Sequence, residues 1–174
     1  MLLQLEELRE VGRSFELALA LPELVDEQGA ALLAGPARVR GSAGPGARGV
    51  ELEARIDAGL RLACSRCLEP FVHPVGIEVR LRLTADAEQF AREADDVELF
   101  HAVGGVVDLA AVALEQLVLS LPLKPICLPA CRGLCPSCGV NRNAIECGCS
   151  RAEGDPRLAP LRALRARLGR DERD

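Results

Sequence analysis

Aromatic and histidine side chains are scarce in this sequence. Of 174 residues, four are phenylalanine and two are histidine, and the chain contains no tyrosine or tryptophan. So few rings cannot build the aromatic platform on which single-stranded bases stack. His73 and His101 do not stand at metal-ligand spacing from a second ligand, so we interpret them as surface or strand residues. The core must therefore consist of leucine, valine, alanine and isoleucine.

Long hydrophobic runs and catalytic motifs are also missing. The apolar run near the start, residues 17–22, is too short to span a membrane and follows glutamates rather than a basic segment. The sequence contains no phosphate-cradling glycine loop, nucleophile elbow or H-E-x-x-H motif. We therefore expect a cytoplasmic protein without enzymatic activity, in a compartment where clustered cysteines are metal ligands or catalytic thiols more often than disulfides.

The charge is unevenly distributed along the chain, whose formal net charge is −5. Residues 1–123 carry 20 acidic and 11 basic side chains, whereas residues 124–170 carry 9 basic and 3 acidic ones. An acidic body repels nucleic acid at long range, but a basic C-terminal third can attract it locally. The alternative interpretation is that the arginine-rich segments are simply solvated surface.

Alternating segments predict the main part of the fold. Residues 50–64 alternate apolar with charged side chains, and residues 75–85 do the same after the corner sequence CSRCLEP. A period of two is typical of strands with one buried face, so we predict a long antiparallel hairpin. FELALAL, residues 15–21, predicts a further strand, and the glycine-rich residues 41–49 are expected to be a loop.

Helices are predicted in three places. Asp108 is a candidate N-cap for an apolar helix over residues 109–121, in which Val118 and Leu119 widen the buried face. Acidic side chains suggest a short helix over residues 22–34, and good capping residues predict another over 156–168.

Together these elements predict an α+β protein. An antiparallel sheet or partly closed barrel, packed by a helix, forms a strand-rich body over residues 1–123. A cysteine-rich, zinc-binding segment and a terminal helix follow over residues 124–174, packed on the body.

Cysteine is the residue type that carries the chemistry. Structural zinc is held by four thiolates or imidazoles in a closed tetrahedron, and eight cysteines suffice for two such ions. By spacing, the preferred partition gives the C-x2-C and C-x1-C pairs near the end to one ion. The remaining four cysteines then hold the second. The two predicted sets are Cys135, Cys138, Cys147 and Cys149, and Cys64, Cys67, Cys127 and Cys131.

Other arrangements of the thiols remain open at this stage. Cys127, Cys131, Cys135 and Cys138 form a possible local set, and a single ion with four free thiols is a further possibility. Four thiolates also suit an iron–sulfur cluster. A redox dithiol at C-S-R-C, residues 64–67, is the sharpest alternative, although it lacks the strand-to-helix setting that lowers a thiol pKa.

Several motifs in this order resemble the YceD family of large ribosomal RNA subunit accumulation proteins. These are CSRCLEPF at 64–71, LPLKPIC at 121–127, GLCPSCGVNRN at 133–143, CGC at 147–149 and DPRLAPL at 155–161. The resemblance covers roughly residues 50–168. The family usually shows Asn-Leu-Asn where this chain has Asn141-Arg142-Asn143, whose asparagines can cap the turn by side-chain hydrogen bonds.

The resemblance implies a bacterial or plastid factor needed for the accumulation of 23S ribosomal RNA. We expect a non-enzymatic protein that binds precursor RNA or a large-subunit assembly intermediate through its basic, zinc-bearing segment. The alternative is a protein-only adaptor that binds a ribosomal protein or a processing enzyme. The candidate phosphate contacts are Arg66, Lys124, Arg132, Arg142 and Arg151.

Overall fold

The computed structural model describes residues 1–26, 29–30, 32–47, 49–93 and 99–149, together with Leu161 and Leu164. The chain divides into two compact units. The first unit consists of Met1–Ser65 and Glu69–Pro129, and the second of Arg66–Leu68 and Ala130–Asp174.

The first unit is built on a curled five-stranded sheet. Its strands lie in the order β2-β3-β4-β5-β6, with antiparallel neighbours except for the parallel β5-β6 pair. A two-stranded ladder joins β1 to β7. The strands are β1 Leu2–Gln4, β2 Arg13–Leu19, β3 Ala37–Gly46, β4 Gly49–Ala63, β5 Pro70–Thr84, β6 Leu99–His101 and β7 Val106–Asp108.

The predicted hairpin of alternating strands is confirmed as β4 and β5. Leu52 lies opposite Leu81, and the residues on either side of Leu52 in sequence place their charges on the other face. On that outer face, Arg55 of β4 contacts both Asp57 and Glu78. Alternation therefore separates an apolar core face from a charged outer face.

The glycine-rich residues 41–49, which we expected to be a loop, are mostly strand. β3 continues through Gly46 and pairs with β4 on one side and, up to Ala43, with β2 on the other. Glycine is required here because a Cβ on Gly41 would collide with the carbonyl oxygen of Glu53. The prediction was wrong because glycine can mark a close approach of strands as well as a turn.

The predicted helix over residues 22–34 is also wrong, since none of the described residues in this segment is helical. The Asp26 carboxylate accepts a hydrogen bond from the Ala30 amide at 2.8 Å, which closes a loop. Leu32 then donates to the Leu24 carbonyl, so the chain returns upon itself. A short helix, which we did not predict, does occur earlier as α1 over Leu5–Glu10.

The predicted apolar helix is confirmed, although one of its faces is exposed. After the short surface helix α2, Ala87–Arg92, the helix α3 spans Leu109–Leu119. The Asp108 carboxylate accepts from the Ala110 amide at 3.0 Å, as expected of an N-cap. Val118 and Leu119 do not widen the buried face, because their side chains are 48% and 72% exposed.

The hydrophobic core of the first unit lies between the sheet and the buried face of α3. Four α3 side chains belong to the same cluster as the inward residues of β2 to β5. They are Leu109, Val112, Ala113 and Leu117. The helix predicted over residues 156–168 lies outside the described residues except for Leu161 and Leu164, which are helical and exposed.

Candidate metal centre

Four cysteines of the second unit bring their sulfur atoms together. The Sγ atoms of this group, which we call the Cys135 group, lie within 4.8 Å of one another. A zinc ion that binds four thiolates at about 2.3 Å places them about 3.8 Å apart, so the group needs only small adjustments to enclose an ion. Its members are Cys135, Cys138, Cys147 and Cys149.

A tight turn places the first two of these cysteines. The Gly139 amide donates to the Cys135 carbonyl at 2.9 Å, and the Cys135 amide donates to the Val140 carbonyl at 2.8 Å. Gly139 has a φ of 75°, a left-handed conformation that glycine adopts without strain. A bridge between Leu134 and Asn141 closes the base of the turn.

Backbone amides make one sulfur of the Cys135 group a good anion. The amides of Cys138 and Ser137 donate to the Cys135 sulfur, and these hydrogen bonds lower the pKa of Cys135 to about 6. A hydrogen bond with the Cys135 side chain raises the pKa of Cys147. A hydrogen bond with the Cys138 side chain likewise raises the pKa of Cys149, to about 12. The Cys135 thiolate therefore forms easily, while Cys147 and Cys149 retain protons that a divalent cation would displace.

The remaining cysteines form a second group, the Cys64 group. Its Sγ atoms also lie within 4.8 Å of one another, and most of its members are buried. The Cys64 amide donates to the Glu69 carbonyl at 3.0 Å and closes the corner between β4 and β5. The members are Cys64, Cys67, Cys127 and Cys131.

The two groups contain the same cysteines as the partition that we preferred from the sequence. They differ from the alternative in which Cys127, Cys131, Cys135 and Cys138 form one local set. Two cysteine-rich groups are thus able to hold metal ions. That the metal is zinc, with two ions per chain, stays a prediction, because four thiolates also suit an iron–sulfur cluster.

The predicted phosphate contacts have different surroundings. Arg66 donates to the Cys131 carbonyl at 3.0 Å, so it supports the backbone at a cysteine. Arg132 lies 3.1 Å from the Glu146 carboxylate, and Lys124 is an exposed residue of the first unit. Arg151 lies outside the described residues.

An open cleft of about 700 Å³ lies beside the Cys135 group. Arg132 and Arg142 both line it, together with Glu146 and three of the cysteines. The Arg142 amide donates to the Gly133 carbonyl at 2.9 Å, which fixes its backbone in the turn. The structure therefore brings two of the five predicted basic residues together at one cleft.

Sequence reasoning missed two partners at this site. Glu146 pairs with Arg132, and Asn143 donates through Nδ2 to the Cys131 sulfur at 3.3 Å. The expected capping by asparagine is confirmed, since Asn141 Oδ1 accepts from the Asn143 amide at 3.0 Å. The two missed contacts join residues 12 to 14 positions apart, which spacing alone does not reveal.

Fold and site together define an α+β protein that carries two clusters of four cysteines. Among the described residues, no helix has the length and apolar character needed to cross a membrane. The profile of one family, described as large ribosomal RNA subunit accumulation protein YceD, matches residues 52–165. The chain belongs to the YceD family.

Several curated proteins are similar to this chain. Uncharacterized proteins of Mycobacterium bovis and Mycobacterium tuberculosis are each 33% identical over 98 residues, or 56% of this chain and 47% of theirs. The chloroplastic large ribosomal RNA subunit accumulation protein YCED homolog 1 of Arabidopsis thaliana is 33% identical over 66 residues, or 38% of this chain and 21% of that protein. The chain thus spans about half the length of the mycobacterial relatives. No solved structure matches.

Proposed function

We propose that this chain is a non-enzymatic, cytoplasmic factor that supports the accumulation of 23S ribosomal RNA. It does so by binding precursor RNA, or RNA of an assembly intermediate, through the cleft beside the Cys135 group. The observation that carries this proposal is the presence of Arg132 and Arg142 on one open cleft. The family description supplies the link to large-subunit RNA.

The cleft suits the sugar–phosphate backbone better than a base. Guanidinium groups bind phosphate oxygens in a bidentate manner, whereas sequence-tolerant base stacking requires aromatic rings. Residues 124–170 contain no aromatic side chain. The contact should therefore follow the backbone and shape of the RNA, with little dependence on base identity.

The pairing of Arg132 with Glu146 is compatible with exchange for a phosphate. The side chains of Arg132 and Glu146 are 48% and 84% exposed. Exposed ion pairs contribute only about 0–1 kcal/mol, so a phosphate can displace the carboxylate.

Zinc would have a structural role in this account. Residues 130–149 contain no named helix or strand, only the bridge between Leu134 and Asn141. A metal at the Cys135 group would hold the turn that carries Arg142 in a fixed conformation. We propose one zinc ion at this group and one at the Cys64 group.

The double variant Arg132→Ala/Arg142→Ala is expected to weaken binding to a 23S precursor transcript. Each lost phosphate contact should reduce the slope of log affinity against log salt concentration by about 0.7–0.9. Fluorescence anisotropy across a salt series measures both quantities. Arg38→Ala is the matched control, because Arg38 is an exposed arginine of β3 in the first unit.

A further variant tests the sign of the charge effect. Glu146→Gln releases Arg132 from its carboxylate partner, so RNA affinity should be equal or slightly higher. Unchanged affinity and salt slope in the double variant would contradict the proposal. A protein partner that survives nuclease treatment, with no RNA binding by the purified chain, would favour the protein-only adaptor instead.

A further inference from the structure

The side-chain amide of Asn143 makes three hydrogen bonds. Its Nδ2 donates to the Cys131 sulfur at 3.3 Å and to Asn141 Oδ1 at 2.8 Å. Its Oδ1 accepts from the Arg132 amide at 2.7 Å. Both N–H groups of the amide therefore donate, and its oxygen accepts, each with a different partner.

This network fixes the orientation of the amide. With the amide reversed, its oxygen would face the Cys131 sulfur and the oxygen of Asn141, while its NH2 would face the amide of Arg132. Each of these contacts would be repulsive, since like partners would meet. Asn143 therefore presents an N–H, and not an oxygen, to a cysteine of the Cys64 group.

An N–H directed at a cysteine sulfur restrains the position of that sulfur. Residues that hydrogen-bond a ligand orient it and adjust its affinity for the ion. Asn143 also stands in the turn between Cys138 and Cys147, two cysteines of the other group. It thus connects Cys131 to the segment that carries the Cys135 group.

We propose that Asn143 is a positioning residue that holds the Cys131 sulfur in place as a metal ligand. The inference rests on the proposed metal binding and adds to it a role for a residue that binds no metal itself. Aspartate has the same size but lacks both N–H donors. Asn143→Asp would therefore replace an attractive contact with the repulsion of a carboxylate against a thiolate.

The test follows the cysteines of the zinc-loaded full chain by alkylation during a chelator titration, with peptide mapping by mass spectrometry. In Asn143→Asp, Cys131 should become alkylated at about 10–100-fold lower chelator concentration than in the parent chain, while Cys135 keeps its protection. The cobalt-loaded variant should also show altered thiolate-to-cobalt absorption. Ala144→Asp is the matched control, because it adds the same charge at the exposed neighbouring position.

Three outcomes would overturn the inference, and they are distinguishable. Equal protection of Cys131 in variant and parent shows that Asn143 does not position this sulfur. Simultaneous exposure of Cys131 and Cys135 in the variant marks a general loosening of the turn instead. Alkylation of both cysteines in the parent chain without chelator refutes the metal binding itself, and this inference with it.

Discussion

Replacement of Cys135 by serine is expected to abolish metal binding at the Cys135 group and to unfold the surrounding turn. Residues 130–149 form no named helix or strand, and among the described residues of the core cluster none comes from this segment. Only the bridge between Leu134 and Asn141 and the hydrogen bonds of the turn hold it, without support from the core cluster. Structural zinc supplies an apparent binding free energy of about 10–16 kcal/mol in small cysteine sites. For the zinc ion that we propose at the Cys135 group, this binding would be coupled to folding of the turn.

Hydrogen exchange measured by mass spectrometry checks this prediction. In Cys135→Ser, peptides from residues 133–149 should lose their protection, whereas peptides from β4 and β5 should retain theirs. Ser137→Ala is the control, since it alters an exposed side chain in the same turn and leaves all four sulfurs. Retained protection of residues 133–149 in Cys135→Ser would show that the turn is stable without metal.

Truncation of Leu52 to alanine is expected to lower the free energy of unfolding of the first unit by about 2–5 kcal/mol. Leu52 is fully buried and stands between Ala43 of β3 and Leu81 of β5. A cavity at this central position cannot be filled by rotation of a large neighbour on the β3 side, because that neighbour is alanine. The chain contains few large aromatic side chains that could close such a gap.

Urea denaturation followed by far-UV circular dichroism measures this change, since the chain has neither tryptophan nor tyrosine for fluorescence. Leu123→Ala is the matched control, because the Leu123 side chain is fully exposed. The control should leave the midpoint nearly unchanged. Equal midpoints for Leu52→Ala and Leu123→Ala would contradict the placement of the core.

The sheet and its covering helix could be predicted where one local signal dominates. Alternation of apolar and charged residues over 50–64 and 75–85 is typical of strands alone, so it predicted the hairpin of β4 and β5. Asp108 and the apolar residues after it likewise indicated α3. The glycines of β3 are compatible with either a turn or a close contact between strands. The sequence of β3 does not decide between these structures, because the close contact is made with Glu53 and Ala54 of the neighbouring strand.

The candidate site, too, was predictable in part from the sequence. The spacing of the cysteines predicted which of them lie together, because short intervals such as C-x2-C bring two sulfurs to one side of a turn. Spacing could not predict that Arg66 supports the carbonyl of Cys131 or that Glu146 neutralises Arg132, since these partners are separated by 65 and 14 positions. Such pairings are set by the fold of the whole chain.

We propose that each of the two cysteine groups holds one zinc ion. Native mass spectrometry of the chain, purified without chelator, tests this most directly when Cys64→Ser and Cys147→Ser are measured beside it. We predict two zinc ions in the parent chain and one in each variant. A parent chain without bound metal would contradict the claim, and so would a single ion that persists in both variants.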